Sequence, residues 1–557
     1  MSTPSAPRLS VVEKVGYSLA DGAAQFVFLT MVNYQAGFYT DAMGIRAADA
    51  SWLVLIARLW DAFFDPMMGF LADRTRTRWG RFRPWLLWSS IPWAVCMVLA
   101  YTVPPLREYW ATFVYALVTN IALMTVYSMN NTPYSALMAV MTGDQRERTR
   151  LSQYRFIAAM IGQLIVGGFT LVIMNNLGGP LPLPPTELAN EQLAAMAQAA
   201  PQPAVTEPMT AAEAETRRLE KPTLADTPAM IEYRQLKQEH DSRGWPRTMM
   251  LFAGICVVCF AITFLTTRER LTPIERQHSP IIKDIKILVT MGPWIVMFLV
   301  TITHYILTGI RGSAYNYYVK YLLDQEAMTH FLQQWHLPTI DPAVDPTNLG
   351  LWYKFLYYSK LVIYENGSNV SAVVYGLLQM TNKLWNVVGI LAASFLVATF
   401  SKKLVVSISL IANTVFIIAL YWVPLSNIWG VFMVEWLGQL AYSPTVPLLW
   451  VLFADVCDYT EWKAGRSIAG FIYATFFFGL KAGISLGAFL GLQVMSYFDY
   501  VANAAQSDWS KLGILLTLTL IPGIFSVACA VSMLMYPITK NMSHEIADDL
   551  AKRLATV

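Results

Sequence analysis

The sequence predicts an all-α polytopic membrane protein with twelve transmembrane helices arranged as two six-helix halves. Of its 557 residues, 55% are hydrophobic and only 14% are charged, whereas about 25% are charged in a typical soluble domain. Twelve apolar stretches reach the roughly 20 residues that a helix needs to cross a bilayer. This composition excludes a soluble enzyme, and the net charge of +3 gives no reason to expect a nucleic-acid partner.

The predicted spans divide the chain into two halves and two inserts. In chain order the spans cover residues 15–40, 49–72, 84–104, 110–141, 152–175, 246–267, 291–322, 370–399, 403–422, 427–454, 467–497 and 511–536. The predicted segments are an N-terminal half (1–175 and 246–267), a linker (268–290), a C-terminal half (291–323 and 370–557) and two outer inserts (176–245 and 324–369). We expect short helices in the inserts at 186–199, 227–243 and 348–364.

Basic residues indicate which side of the membrane each loop occupies. Arginines and lysines are concentrated in alternate loops, for example between 74 and 83, between 146 and 150 and between 268 and 276. Loops rich in arginine and lysine face the cytoplasm, so both termini are predicted to be cytoplasmic. The expected location is the plasma membrane, which is the inner membrane if the protein is bacterial.

A stripe of charge interrupts the second predicted span. Arg58, Asp61 and Asp65 are spaced at i, i+3 and i+7, so a helix places them on one face. An ionised group at membrane depth costs at least about 3 kcal/mol, so these groups must meet each other, an ion or water. The pattern predicts a transport site in which Arg58 is the charge partner of the carboxylates. A static salt bridge from Arg58 to one aspartate is the alternative.

Four segments carry a resemblance to a known family. They are RLWDAFFDPMMG, DRTRTRWGRFRPW, NNTPYSALMAVMTGDQRERTRLSQYRF and ADVCDYTEWKAGR, in that order along the chain. Together they resemble the glycoside–pentoside–hexuronide:cation symporters, which have the major facilitator fold. The resemblance implies cation-coupled sugar transport by alternating access, with no enzymatic activity and no cofactor beyond the coupling cation, H⁺ or Na⁺.

The resemblance also implies a cation site. Asp61 and Asp65 match the paired carboxylates of the family, and Ser128 matches a hydroxyl position. Phe64 stands where sodium-coupled members carry an asparagine. Because a hard cation such as sodium needs several oxygen ligands, whereas a proton needs one carboxylate, the sequence favours proton coupling.

The sugar site is predicted mainly by resemblance. The positions that match it are Gln25, Tyr127, Asn131, Arg155 and Lys481. Lys481 lies two residues from the i+4 glycine stripe of Gly479 to Gly491, which predicts close helix packing on the opposite face. The predicted inward charges are four cations against two carboxylates, namely Arg58, Arg155, Arg311 and Lys481 against Asp61 and Asp65. This surplus of positive charge supports the hypothesis of an anionic substrate, a hexuronide or a uronic-acid oligosaccharide. The alternative is a neutral glycoside, with the arginines paired to protein groups.

The remaining predictions concern gating and rival functions. A cytoplasmic gate that locks the halves together is predicted from Arg74, Arg81, Arg148, Asp455, Asp458, Glu461 and Arg466. The expected partners are a sugar, a monovalent cation and membrane lipid, for a protein that acts as a monomer. The rival functions are a lysolipid carrier and a non-transporting membrane sensor or binding protein.

Overall fold

The computed structural model describes residues 9–106, 108–142, 145–179, 228–270, 286–340, 362–364, 367, 369–465 and 468–555. Helices of the N-terminal half are α1 (Val11–Asn33), α2 (Ala47–Arg74), α3 (Arg83–Trp88), α4 (Ser90–Ala100), α5 (Tyr109–Met141), α6 (Gln145–Leu177) and α7 (Pro228–Thr266). A helical turn, Gln35–Gly37, and a π-helical segment, Phe38–Ala42, connect α1 to α2.

The C-terminal half is also mainly helical. Its helices are α8 (Gly292–Tyr321), α9 (Gln325–Gln334), α10 (Val370–Thr399), α11 (Lys402–Ala419), α12 (Ile428–Tyr442), α13 (Thr445–Ala464), α14 (Ala469–Tyr497), α15 (Asp508–Leu518), α16 (Leu520–Leu534) and α17 (Lys540–Ala555). A 3₁₀ turn, Leu420–Trp422, follows α11. Strands β1 (Thr339–Ile340) and β2 (Ile363–Tyr364) pair in parallel, with Thr339 opposite Ile363.

The all-α membrane fold is confirmed. Within the described residues, ten helices are long and apolar enough to cross a membrane. Two predicted spans are not among them, for different reasons. The span at 49–72 is the continuous helix α2, whose charged stripe makes it too polar to qualify. The span at 84–104 breaks at Ser89 into the shorter helices α3 and α4.

The inserts depart from the predicted secondary structure. The expected short helix at 227–243 and the span at 246–267 form one helix, α7, which continues through Pro246. Buried polar groups stabilise its first half, because Lys237 pairs with Asp241 at 2.6 Å and His240 Nε2 lies 2.9 Å from the carbonyl of Asn175. The predicted helix at 186–199 lies outside the described residues, as does 348–361 of the predicted helix at 348–364, which ends in strand β2.

Among the described residues, the main helix contacts between the two halves are the following. Helix α14 packs on α2, α10 packs on α6, and α8 touches α1. At the second of these contacts the backbones nearly touch, because a Cβ added to Gly376 of α10 would lie 2.3 Å from the carbonyl oxygen of Gly168 on α6. Tyr364, just before α10, donates a hydrogen bond of 3.0 Å to Asn176 near the end of α6. Helices α6 and α10 are therefore antiparallel across the interface.

The bundle has two ends, which we call the insert end and the arginine end. The insert end contains the π-helical segment after α1, the end of α6 and the start of α10. The arginine end contains the hairpin between α2 and α3, where the carboxylate of Glu269 accepts hydrogen bonds from the backbone amides of Arg81, Phe82 and Arg83.

The predicted glycine stripe of α14 packs closely on α8, as expected. A Cβ at Gly487 would lie 2.1 Å from the carbonyl oxygen of Ile306, and one at Gly483 would lie 2.9 Å from that of Ile302. The absence of side chains lets the two backbones approach. This contact fixes the rotation of α14 and so the direction in which Lys481 points.

Gly487→Ala should therefore destabilise the protein, because overpacking a tight contact costs about 1–3 kcal/mol. Thermal unfolding of the detergent-solubilised protein is expected to show a lower Tm. Gly254→Ala is the matched control, since nothing lies within 4 Å of its Cβ position. Equal Tm values for the two variants would contradict the close contact between α8 and α14.

Candidate cation and substrate site

Lys481 joins two carboxylates that belong to the other half. Its ammonium nitrogen lies 2.8 Å from Asp61 Oδ2 and also forms an ion pair with Asp65. Asp61 is fully buried, whereas 28% of the Asp65 side chain is exposed. Oδ2 of Asp61 accepts no well-directed hydrogen bond from described residues, so its contact with Lys481 is a charge–charge contact. The three residues place a net charge of −1 between α2 and α14.

Two hydroxyl groups of α5 complete this cluster. Ser128 Oγ donates a hydrogen bond of 2.5 Å to Asp61 Oδ1, and Thr132 Oγ1 donates one of 3.3 Å to Asp65 Oδ1. The aspartates and the hydroxyls are each spaced at i and i+4, so the two helices present matching pairs. Ser128 was predicted here and Thr132 was not, although its spacing from Ser128 repeats that of the aspartates. We call Asp61, Asp65, Ser128, Thr132 and Lys481 the carboxylate cluster.

Lys481, and not Arg58, is in direct contact with the aspartates. The alternative of a static Arg58–Asp bridge was therefore wrong, although Arg58 is close enough for the charge of Asp61 to act on it. Arg58 is buried, but its guanidinium lies 5.9 Å from the centroid of the Phe28 ring on α1. No carboxylate oxygen of a described residue lies within 4 Å of it. Lys481 takes this role because α14 packs directly on α2. Phe64 stacks on Trp60 at 6.1 Å and brings no oxygen to the cluster.

Arg155 and Arg311 are both paired within their own halves. Arg155 Nε lies 2.9 Å from Asp21 Oδ2 on α1, and Arg311 Nη2 lies 2.5 Å from Glu435 Oε1 on α12. The predicted surplus of positive charge was therefore wrong where it counted these arginines as unpaired. It omitted Asp21 and Glu435, two acids inside predicted spans. These arginines give no reason to expect an anionic substrate.

The polar residues predicted to bind sugar lie in different environments. Gln25 is partly exposed and accepts a hydrogen bond of 3.1 Å from Gln163 Nε2 on α6. Asn131 is partly exposed and has no hydrogen bond to another described residue. Tyr127, in contrast, is buried and stacks on Trp93 at 5.4 Å. The amides of Gln25, Gln163 and Asn131 are partly exposed, whereas Tyr127 belongs to the core.

The predicted lock between the halves is not formed among the described residues of the arginine end. Asp455 accepts hydrogen bonds of 2.8 Å from Lys402, which belongs to the same half. Arg148 Nε donates to the carbonyl of Thr142 at 2.9 Å, and the Arg74 guanidinium lies 3.8 Å from the centroid of the Phe70 ring. The predicted partners Asp458 and Glu461 lie on α13, and the predicted Arg466 lies outside the described residues.

A polar network joins the halves at the insert end instead. Lys320 Nζ lies 2.5 Å from Asp41 Oδ2 and donates a hydrogen bond of 2.7 Å to Asn503 Oδ1. Tyr500 donates one of 2.8 Å to Asp41 Oδ1, and Asn503 Nδ2 donates one of 2.7 Å to the carbonyl of Asp41. We call these four residues the clasp. Sequence reasoning missed it, although Asp41 and Lys320 are ionisable residues at the ends of predicted spans.

Lys481→Met should destabilise the protein, because it removes the only cation in direct contact with the buried Asp61 among the described residues. Removing one partner of a buried ion pair typically costs about 3–5 kcal/mol. Adding Asp61→Asn should recover most of the lost Tm, whereas adding Asp65→Asn should recover less, because Asp65 is partly exposed. If the effects of Lys481→Met and Asp61→Asn on Tm were simply additive, the two side chains would not be interacting.

Comparisons with known proteins agree with this architecture. The profile of the family described as MFS/sugar transport protein matches residues 16–335 and 348–540. YagG of Escherichia coli (strain K12), named for glycoside/cation symport, is 27% identical over 98% of this chain and 96% of its own. The isoprimeverose transporter of Lactiplantibacillus pentosus is 25% identical over 96% of this chain and 90% of its own.

One further relative and one solved structure also match the chain. The glucuronide carrier protein homolog of Escherichia coli (strain K12) is 24% identical over 97% of this chain and 95% of its own. The solved structure of the nucleoside transporter NupG superimposes with a TM-score of 0.54 at 12% identity, covering 95% of this chain and 100% of that one. The latter shows the fold alone.

These findings confirm the resemblance to the glycoside–pentoside–hexuronide:cation symporters and the prediction that the protein is not an enzyme. The chain belongs to the MFS/sugar transport protein family.

Proposed function

We propose that the protein is a proton-coupled symporter of a glycoside and that the carboxylate cluster is its coupling site. The observation that carries this proposal is the contact of Lys481 with Asp61 and Asp65, since it links one half to the other through groups that can bind a cation. The names of relatives support sugar as the substrate and symport as the mode of transport.

The charge of the cluster supports coupling to one monovalent cation. Two carboxylates and one ammonium leave a net charge of −1, which one proton or one sodium ion neutralises. Neutralising a carboxylate weakens its attraction to Lys481, and so loosens α2 from α14. Proton coupling is favoured, because Phe64 supplies no oxygen ligand to the cluster, whereas a sodium site needs several oxygen ligands.

The state of the two ends supports alternating access. The clasp joins the halves at the insert end, whereas Asp455 at the arginine end pairs within its own half. Arginine-rich loops face the cytoplasm, which supports cytoplasmic termini and an inward-open state. Transport then requires the clasp to open. At the arginine end, acids of α13 then pair with basic residues of the N-terminal half. The acids are Asp455, Asp458 and Glu461, and the candidate partners are Arg74, Arg81 and Arg148.

The available polar groups support a sugar substrate. Amide side chains such as Gln25, Gln163 and Asn131 both donate and accept hydrogen bonds, as recognition of sugar hydroxyls requires. A lysolipid carrier would use an apolar cavity, and the charged cluster between the halves does not favour one. A non-transporting sensor has no need for a cation site shared by two moving halves.

Asp61→Asn and Asp65→Asn should each reduce uphill sugar accumulation by at least about tenfold, because a neutral amide cannot bind the coupling cation electrostatically. Uptake of a panel of radiolabelled glycosides into proteoliposomes measures this. Wild-type uptake should persist without sodium and collapse with a protonophore. Strict dependence on sodium would overturn the proton assignment.

Asp49→Asn is the control for these variants. Asp49 lies on the same helix, but it pairs with Arg46 at 2.7 Å near the insert end, away from the cluster. It should leave accumulation unchanged. If it impaired accumulation as strongly as Asp61→Asn did, the cluster would have no special role in coupling.

Asp41→Asn and Lys320→Met should loosen the clasp and favour opening at the insert end. A cysteine introduced at Asn131 should then react faster with a membrane-impermeant thiol reagent added on the insert side. The exchanged pair Asp41→Lys with Lys320→Asp should restore slow labelling, since it restores opposite charges. Arg46→Gln, at the same end, is the control. Unchanged labelling in all clasp variants would contradict the proposed gate.

A further inference from the structure

Lys383 is an ionisable residue of α10 that the proposed coupling site does not use. It lies near the middle of this apolar helix of 30 residues and is half-buried. Its ammonium forms no hydrogen bond, ion pair or ring contact with any residue that the structure describes. A cation at membrane depth without a partner is costly, and such groups mark substrate or ion pathways. Lys383 therefore needs a functional explanation.

The side chain faces the other half of the molecule. Gly376, Met380 and Lys383 are spaced at i, i+4 and i+7, so they share one face of α10. That face contacts α6, because atoms of both Gly376 and Met380 abut Gly168. Leu384, Leu391 and Phe395 lie on a neighbouring face of α10, which is exposed. Lys383 is therefore directed between the halves, at the turn where the close contact of α6 and α10 has ended.

The same contacts locate Lys383 along the axis of the bundle. Because α6 and α10 are antiparallel, the position of Lys383 beyond Met380 corresponds to the turn of α6 that precedes Gly168. Gln163 lies on that turn and is bonded to Gln25 of α1. Lys383 and the two amides thus lie at the same level along the axis of the bundle.

The other cations of the spans already have neighbours, since Arg155, Arg311 and Lys481 are paired with carboxylates and Arg58 lies over the Phe28 ring. Among the described residues, the membrane-embedded acids Asp21, Asp61, Asp65 and Glu435 all have basic partners, namely Arg155, Lys481 and Arg311. A neutral sugar bound at this level would leave the Lys383 ammonium uncompensated. A sugar that carries a carboxylate would neutralise it, through a charge-assisted hydrogen bond.

We propose that Lys383 binds the carboxylate of a uronic-acid glycoside and determines the preference of the transporter for anionic over neutral sugars. The proposal rests on the proposed function of sugar symport. Lys383 gives a reason to expect an anionic substrate that does not depend on Arg155 or Arg311. Gln25 and Gln163 contact the hydroxyl groups of the same sugar from the other half. Binding then draws the halves together, since substrate contacts α10 on one side and α1 and α6 on the other.

Matched sugars test the role of Lys383 directly. Methyl glucosides and methyl galactosides of both anomeric forms are compared with the corresponding methyl glycosiduronates, which differ only in the carboxylate at C6. Uptake into proteoliposomes is measured for the wild type, Lys383→Met and Lys383→Arg. Lys511→Met, which removes an exposed lysine, is the control, and gel filtration of each purified variant checks folding.

We expect the wild type to favour a glycosiduronate over its neutral counterpart by at least tenfold in uptake efficiency. Lys383→Met should raise the KM for the glycosiduronate at least tenfold and abolish the preference, without weakening uptake of the neutral sugar. Lys383→Arg should retain the preference, as should Lys511→Met.

Three results would overturn the proposal. They are a wild type that prefers the neutral sugars, an unchanged preference in Lys383→Met, and an equal loss of both sugars in that variant, which would assign Lys383 to the conformational change. If wild-type proteoliposomes take up no sugar from either series or from the wider glycoside panel, the proposed function itself fails, and this proposal fails with it.

Discussion

The contact of Lys481 with Asp61 and Asp65 is the interaction on which the arrangement of the two halves depends. A carboxylate as deeply buried as Asp61 requires a compensating charge, and here that charge comes from the facing half. The glycine stripe of α14 makes this possible, because its close contact with α8 turns Lys481 towards α2. Packing within one half thus determines electrostatics between the halves.

The buried ion pairs fall into two groups with different consequences. Asp21 with Arg155 and Glu435 with Arg311 lie within single halves, so they can persist while the halves move. The cluster at Lys481 and the clasp at Lys320 cross the interface, so any rearrangement must break or remake them. Only the second group can couple ligand binding to motion, because its energy differs between conformations.

Sequence reasoning predicted the features that depend on a single helix. Asp61, Asp65 and Ser128 were identified because spacing along one helix, or resemblance at one position, is sufficient. The partner of the aspartates depends on which helices pack across the interface, and the chain gives no local signal for that, so Arg58 was preferred to Lys481. Asp21 and Glu435 were omitted from the charge count because each is a single charge in an otherwise apolar span. The continuity of α7 through Pro246 likewise depends on buried contacts made by Lys237 and His240 with neighbouring groups.

Helix α7 has a geometric consequence of its own. Its 39 residues extend about 58 Å at 1.5 Å per residue, nearly twice the roughly 30 Å thickness of the hydrocarbon layer. Its first turns therefore extend beyond the hydrocarbon layer at the insert end, as a post that buried contacts of Lys237 and His240 anchor in the N-terminal half. A post of this length amplifies rotation, since a tilt of a few degrees at its base moves its tip by several ångströms. Leu236 is an exposed position for a spectroscopic label. Rocking of the N-terminal half would change the distance between this label and a second label on the C-terminal half.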